Sequence, residues 1–158
     1  MITRTNSIIS AFMAILCSAS SARAGAASDP CALLSEADVS AALGAPVTIS
    51  KSGNDAKHCS WRQQGKRGTT VVDAHLMVEA AKSYDTAKGQ MGMGGRVKQV
   101  PVSGLGDDAY YLAGGRDVPL FVKKGNSAFR IAVDGKGWSL DQIKSKEKAL
   151  ASALLPKL

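Results

Sequence analysis

Two cysteines set on either side of a capped helix do most to limit how this chain can fold. Cys31 stands in Asp29-Pro30-Cys31-Ala32-Leu33-Leu34-Ser35-Glu36-Ala37-Asp38-Val39, and Cys59 in His58-Cys59-Ser60-Trp61. The third cysteine, Cys17, falls in an N-terminal segment that reads as a secretory signal. Arg4 supplies positive charge, Ile8 to Cys17 is apolar, and Ala22-Arg23-Ala24 offers small residues for cleavage. Cutting after Ala24 leaves Cys31 and Cys59 as an even pair in an oxidising compartment, which reads as a disulfide. Closing a loop of that size is worth roughly 3 to 4 kcal/mol of chain entropy. That is a large share of the ~5 to 15 kcal/mol that holds a domain together.

The address follows from the same segment. The apolar run from Ile8 to Cys17 covers about half of what a ~30 Å hydrocarbon core requires, so no membrane span is expected. Cys17 raises lipid attachment as the less favoured alternative, because Leu16 stands where that processing wants a small side chain. The expectation is a signal peptide over residues 1–24 and a single α+β domain over residues 25–158, periplasmic or secreted. The whole chain carries a formal charge of +7. The basic residues are scattered, with no run beyond two, as on a solvated surface. An anionic envelope component is therefore a candidate partner, and nucleic acid is excluded by address.

Helix boundaries are written at both ends of the chain. Ser35 with Asp38 makes a capping box before a helix that Gly44 closes and Pro46 keeps from resuming. Ser139 with Gln142 repeats the device before a last helix whose buried stripe is expected to be Leu140, Ile143, Leu150 and Leu154, with Lys144, Lys146, Glu147 and Lys148 facing water. Ala80 to Met91 returns to helical spacing between them. Strands are expected over Val47 to Ser50, Lys57 to Gln63, Thr70 to Val78, Val97 to Val102 and Ala109 to Leu112. The best hairpin is Val118 to Lys124 and Ser127 to Val133 about Gly125-Asn126, pairing Val122 with Phe129 and Leu120 with Ile131. The order is that of an α+β fold: an antiparallel sheet with helices packed on one face, and a hint of a duplicated helix-plus-strands unit.

Taken in order, C-A-L-L-S-E-A-D-V, A-L-G, C-S-W, V-S-G-L-G-D-D-A-Y and V-K-K-G-N-S-A-F resemble a widespread group of bacterial envelope proteins of unknown function. Many of these are small exported lipoproteins or periplasmic domains. The resemblance implies pairing of Cys31 with Cys59 and an exported, non-enzymatic domain. It supplies no catalytic residue, and the poor lipid-attachment context of Cys17 departs from the lipidated members.

Three groups of residues suggest a chemistry. Gly104-Leu105-Gly106-Asp107-Asp108-Ala109 has dinucleotide-like spacing, but a strand follows it instead of a helix, and two aspartates would repel a phosphate. Asp73 and His75 share a strand face, yet no G-x-S-x-G elbow accompanies them. His58, His75, Met77, Met91 and Met93 are soft donors suited to copper, without ligand spacing. No pattern calls for a cofactor. The expected function is a binding or accessory module acting through a surface, on a protein partner or an anionic envelope component. The alternatives are a copper carrier and an enzyme with no recognisable motif. The expected surface is an uncovered sheet face bearing Asp73, His75, Phe121, Lys123 and Arg130.

Overall fold

The computed structural model describes residues 29–50, 53–93, 97–114 and 117–158. The expected signal over residues 1–24, with Cys17, lies outside them, as does the side chain of Met93. The described chain opens on α1 (Pro30–Leu33), where the Asp29 side chain accepts the Cys31 N–H at 3.0 Å. This short helix was not anticipated, although Asp-Pro is itself a start signal: an N-cap acceptor followed by a residue that has no N–H to satisfy. In α2 (Glu36–Leu43) the Ser35 Oγ accepts the Asp38 N–H at 3.1 Å while Asp38 accepts the Ser35 N–H at 3.0 Å. Gly44 ends the helix in the left-handed conformation. Both turns of chain deliver Leu33, Leu34, Val39 and Leu43 to the core. The disulfide between Cys31 and Cys59, with Cα atoms 5.1 Å apart, ties α1 to the sheet.

The strands are β1 (Thr48–Ile49), β2 (His58–Gln64), β3 (Thr70–Ala80), β4 (Lys98–Pro101), β5 (Asp108–Ala113), β6 (Leu120–Lys124) and β7 (Ser127–Gly135). They form one seven-stranded sheet in the order β1-β2-β3-β7-β6-β5-β4, with every neighbouring pair antiparallel. Two helices complete the chain, α3 (Ala81–Met93) and α4 (Leu140–Leu154). The β6–β7 hairpin has the register read from its turn, Leu120 opposite Ile131 and Val122 opposite Phe129. Gly125 supplies the positive φ, 56°, that the two-residue turn needs. The Gly104 to Asp108 connector is likewise a turn running into a strand. A side chain at Gly106 would run into the Lys123 carbonyl, and Asp107 accepts the Gly125 N–H at 2.6 Å, so the connector clasps the hairpin tip.

The sheet has a core face and an outer face. On the core face, Trp61, Leu76, Leu120, Phe129 and Ile131 are all but inaccessible and meet Leu43, Leu150 and Leu154 from the helices. Burying a leucine of this kind contributes about 1.5 to 3 kcal/mol. The antiparallel α+β architecture is thus as the sequence indicates, and α1, α2 and α4 pack on one face. The third helix is the departure. α3 lies on the outer face, where its Tyr84 is fully buried against Tyr110, Phe121 and Ala128. The strands do divide into an N-terminal three and a C-terminal four that meet at β3 and β7. Copies related by the two-fold between those antiparallel strands would carry their leading helices on one face. α2 and α3 lie on opposite faces, so the halves are not such copies.

Candidate functional site: a cleft at the open end of the outer face

α3 divides the outer face into a covered half and an open half, and the five residues expected to form one surface are split between them. Phe121 is 4% exposed and stacks on Tyr110 with ring centroids 5.0 Å apart and planes 2° from parallel. Lys123 donates to Asp85 of α3 at 2.7 Å. Both therefore belong to the seat of a helix. Alternation along β6 separates two faces and leaves open which of them α3 covers.

Asp73, His75 and Arg130 remain on the open half. The Asp73 carboxylate is held between two cations' positions, 3.1 Å from the Arg62 Nε across the β2–β3 pair and 3.2 Å from the His75 Nε2. Burial would raise its pKa, but His75 and Arg62 together hold it below the ordinary aspartate value. Ser60 stands directly across from His75, an arrangement that sequence reading missed because it depends on register. Its hydroxyl donates to Asn54 at 2.8 Å and the residue is 3% exposed, so it is a buried structural group and no nucleophile for His75.

The open half carries a cleft of about 550 Å³, in the size range of small-molecule sites. Its polar lining is Asp73, His75, Asp117, Asp134, Lys136 and Glu147, and Val71, Val118, Ala132 and Val133 give it apolar walls. The topology explains its position. β7 runs alongside β3 as far as Gly135, whereas β6 accompanies it only up to the pair Leu120–Ile131. Beyond Ile131 one margin of β7 has no strand beside it among the described residues, and the cleft occupies that end of the sheet.

Glu147 reaches this margin from α4. Among the described residues, the N–H of Val133 is the next ladder donor after Phe129 and Ile131, and Glu147 Oε1 accepts it at 3.3 Å. The carboxylate stands in for the missing backbone acceptor. Glu147 is only 1% exposed, and its Oε2 has no hydrogen-bond partner. Burial pushes its carboxyl up to about 8, against smaller downward pulls from the Val133 N–H and Lys144. Charge alone places this residue in water, as the sequence reading did. A better signal was available: Ile143, Glu147, Leu150 and Leu154 follow a 4-3-4 spacing, which puts Glu147 on the buried stripe. Leu140, expected on that stripe, is 46% exposed.

Two further carboxylates meet at the cleft. Asp73 and Asp134 are direct cross-strand partners on β3 and β7, a like-charge placement that a sheet built only for stability avoids. Asp117 and Asp134 have no ion-pair partner among the described residues. Of the soft donors, His58 and Met77 are cross-strand partners on β2 and β3 and line a small cavity with His75, while Met91 of α3 packs against the cluster around Tyr84. Among the described residues, no three His, Cys, Asp or Glu side chains are grouped to hold a metal ion. No described helix is long and apolar enough to cross a membrane. Comparison of the chain with protein-family models, with curated proteins and with solved structures found no match.

Proposed function

We propose that the protein is an exported binding module, periplasmic or secreted, that recognises its partner through the open half of the outer face. The observation that carries this reading is the cleft at the end of β3 and β7, which collects carboxyl groups left without partners on the half of the outer face that α3 does not cover. The disulfide supports the exported compartment, since such bonds persist where the surroundings are oxidising. The cleft replaces the aromatic and basic surface expected from the sequence, because Phe121 and Lys123 serve the packing of α3. Its acidic lining favours a cationic group on the partner over the anionic envelope component first considered.

The test is crosslinked capture from a bacterial envelope extract with the chain lacking residues 1–24. Ala132 lies on the wall of the cleft, so Ala132→Trp fills it without touching the core face. Capture is expected to be lost in Ala132→Trp and kept in Lys82→Glu, a change on the exposed side of α3. Equal capture by both variants overturns the reading.

A further inference from the structure

We propose that the cleft is a site for an organic cation, carrying an ammonium or guanidinium group, that is drawn to the Asp134 and Asp117 carboxylates and the unpartnered oxygen of Glu147 along its lining. This rests on the reading of the cleft as the binding surface and names the chemistry it takes. The sign of the lining is the first reason. Three of the chain's 13 acidic residues, Asp73, Asp117 and Asp134, gather with the buried carboxyl of Glu147 on one cleft of a protein whose formal charge is +7. Arg62 and His75 both engage Oδ2 of Asp73, whose buried Oδ1 has no partner, while Asp117 and Asp134 have no ion pair among the described residues and are the exposed carboxylates of the lining.

Glu147 is the second and independent reason. A carboxyl group that is 1% exposed, with one oxygen on the Val133 N–H and the other on nothing, is costly to keep unless something completes it. A methionine or leucine at this position of the stripe would pack without that cost. The groups around it are Val133, Asp134 and Lys136 on β7 and its exit, Asp117 before β6, Asp73 and His75 on β3, Tyr111 on β5, and Lys144 on its own helix. Lys136 is the one lysine on the lining, and it works against a bound cation. Shape supplies the third reason. Val71, Val118 and Ala132 offer an apolar wall for the methylene stem that an alkylammonium or guanidinium side chain carries. A bare metal ion has no use for such a wall, and the described acidic groups do not cluster as ligands.

The same head group occurs in free polyamines and in the lysine or arginine side chains of a protein, and titration calorimetry on the chain lacking residues 1–24 separates the sources. The probes are 1,5-diaminopentane, agmatine and an unstructured peptide carrying one arginine among neutral residues, with 1,5-pentanediol as the uncharged control. Saturable binding of a diamine or agmatine marks a small-molecule site, and binding of the peptide alone marks a partner's side chain. Either outcome supports the inference, provided the diol does not bind. Asp134→Asn and Asp117→Asn are each expected to weaken binding by about tenfold or more, the worth of one charge-assisted hydrogen bond. Lys136→Gln is expected to tighten it several-fold. All three positions lie outside the core, so unchanged circular dichroism serves as the control for folding.

The inference is overturned if no cationic probe binds, or if both aspartate variants bind as the parent does. If that happens while Ala132→Trp still abolishes capture from the extract, the cleft remains the binding surface and only its cation chemistry is wrong. If Ala132→Trp leaves capture intact, the proposed function falls whatever the probes do.

Discussion

On the covered half of the outer face, α3 lowers Tyr84, Asp85 and Lys88 onto the strands. Asp108 there accepts the Tyr84 hydroxyl at 3.0 Å and pairs with Lys88, and Asp85 pairs with Lys123. The stacked rings of Tyr110 and Phe121 fill the space between. On the open half the sheet is the same and the chemistry is reversed: two aspartates face each other across β3 and β7, Asp117 and Asp134 stand without counter-ions, and Glu147 is buried with an oxygen unused. Elsewhere among the described residues the buried side-chain polar atoms lacking a partner are the Trp61 Nε1 and the Tyr110 hydroxyl, neutral groups that cost less to leave unpaired than a carboxyl. On the covered half the helix supplies partners for the Asp108 carboxylate beneath it, and the group left without one there is the neutral Tyr110 hydroxyl. Where no helix comes down, the unpartnered groups mark the place where something outside the chain can do so.

The largest expected effect tests the covered half. Phe121→Ala removes a stacked ring from beneath α3 and should cost about 3 to 5 kcal/mol in chemical denaturation. A cost near that of a surface change would show that α3 is not seated as described. Next comes the brace beneath the open half. Replacing Cys31 and Cys59 by serine should cost roughly 3 to 4 kcal/mol, and hydrogen exchange should quicken in β2 before it does in β5 and β6. Uniform quickening along all three strands would count against a locally braced open half.

Glu147 gives the third measurement. Its carboxyl titrates near 4.5 in an unfolded chain and at about 8 in the folded one, so the folded state holds the proton more tightly. Stability from this group is complete below about 4.5 and is drained as pH rises through about 8, at up to ~1.4 kcal/mol per unit in that window. Glu147→Gln cannot titrate. Compared with the parent it should therefore gain about 1 to 3 kcal/mol at pH 8 relative to pH 5, read from paired denaturation curves. Parallel curves at the two pH values would show that the carboxyl is not held neutral. The smallest effect is Asp134→Asn, which relieves the repulsion with Asp73 and should stabilise the fold by ~0.2 to 1 kcal/mol at pH 7 while weakening cation binding. A loss of stability there would mean that Asp134 supports the sheet.

Local chemistry was legible residue by residue. Ser35 with Asp38 and Ser139 with Gln142 closed the capping boxes they spelled out, since each spans one turn and involves only its own backbone. Gly125-Asn126 set the hairpin register for the same reason. Phe121 and Lys123 were misplaced because β-alternation gives two faces and does not say which helix lands on which. Glu147 was misread because its charge outweighed its position in a stripe that only packing could prove buried.

The sequence by itself determined the two capped helices, the β6–β7 hairpin and the antiparallel α+β plan, which follow from spacing, caps and turn residues acting over a few positions, and the pairing of Cys31 with Cys59, which follows from an even cysteine count. Tertiary structure alone decided that β6 would stop short of the end of β7, that α4 would send Glu147 to the ladder donor this left behind, and that Asp73 would meet Asp134. Those contacts join residues 14 to 61 positions apart, too far for any local signal to carry, and they arise only when two strands and a helix converge on the same margin.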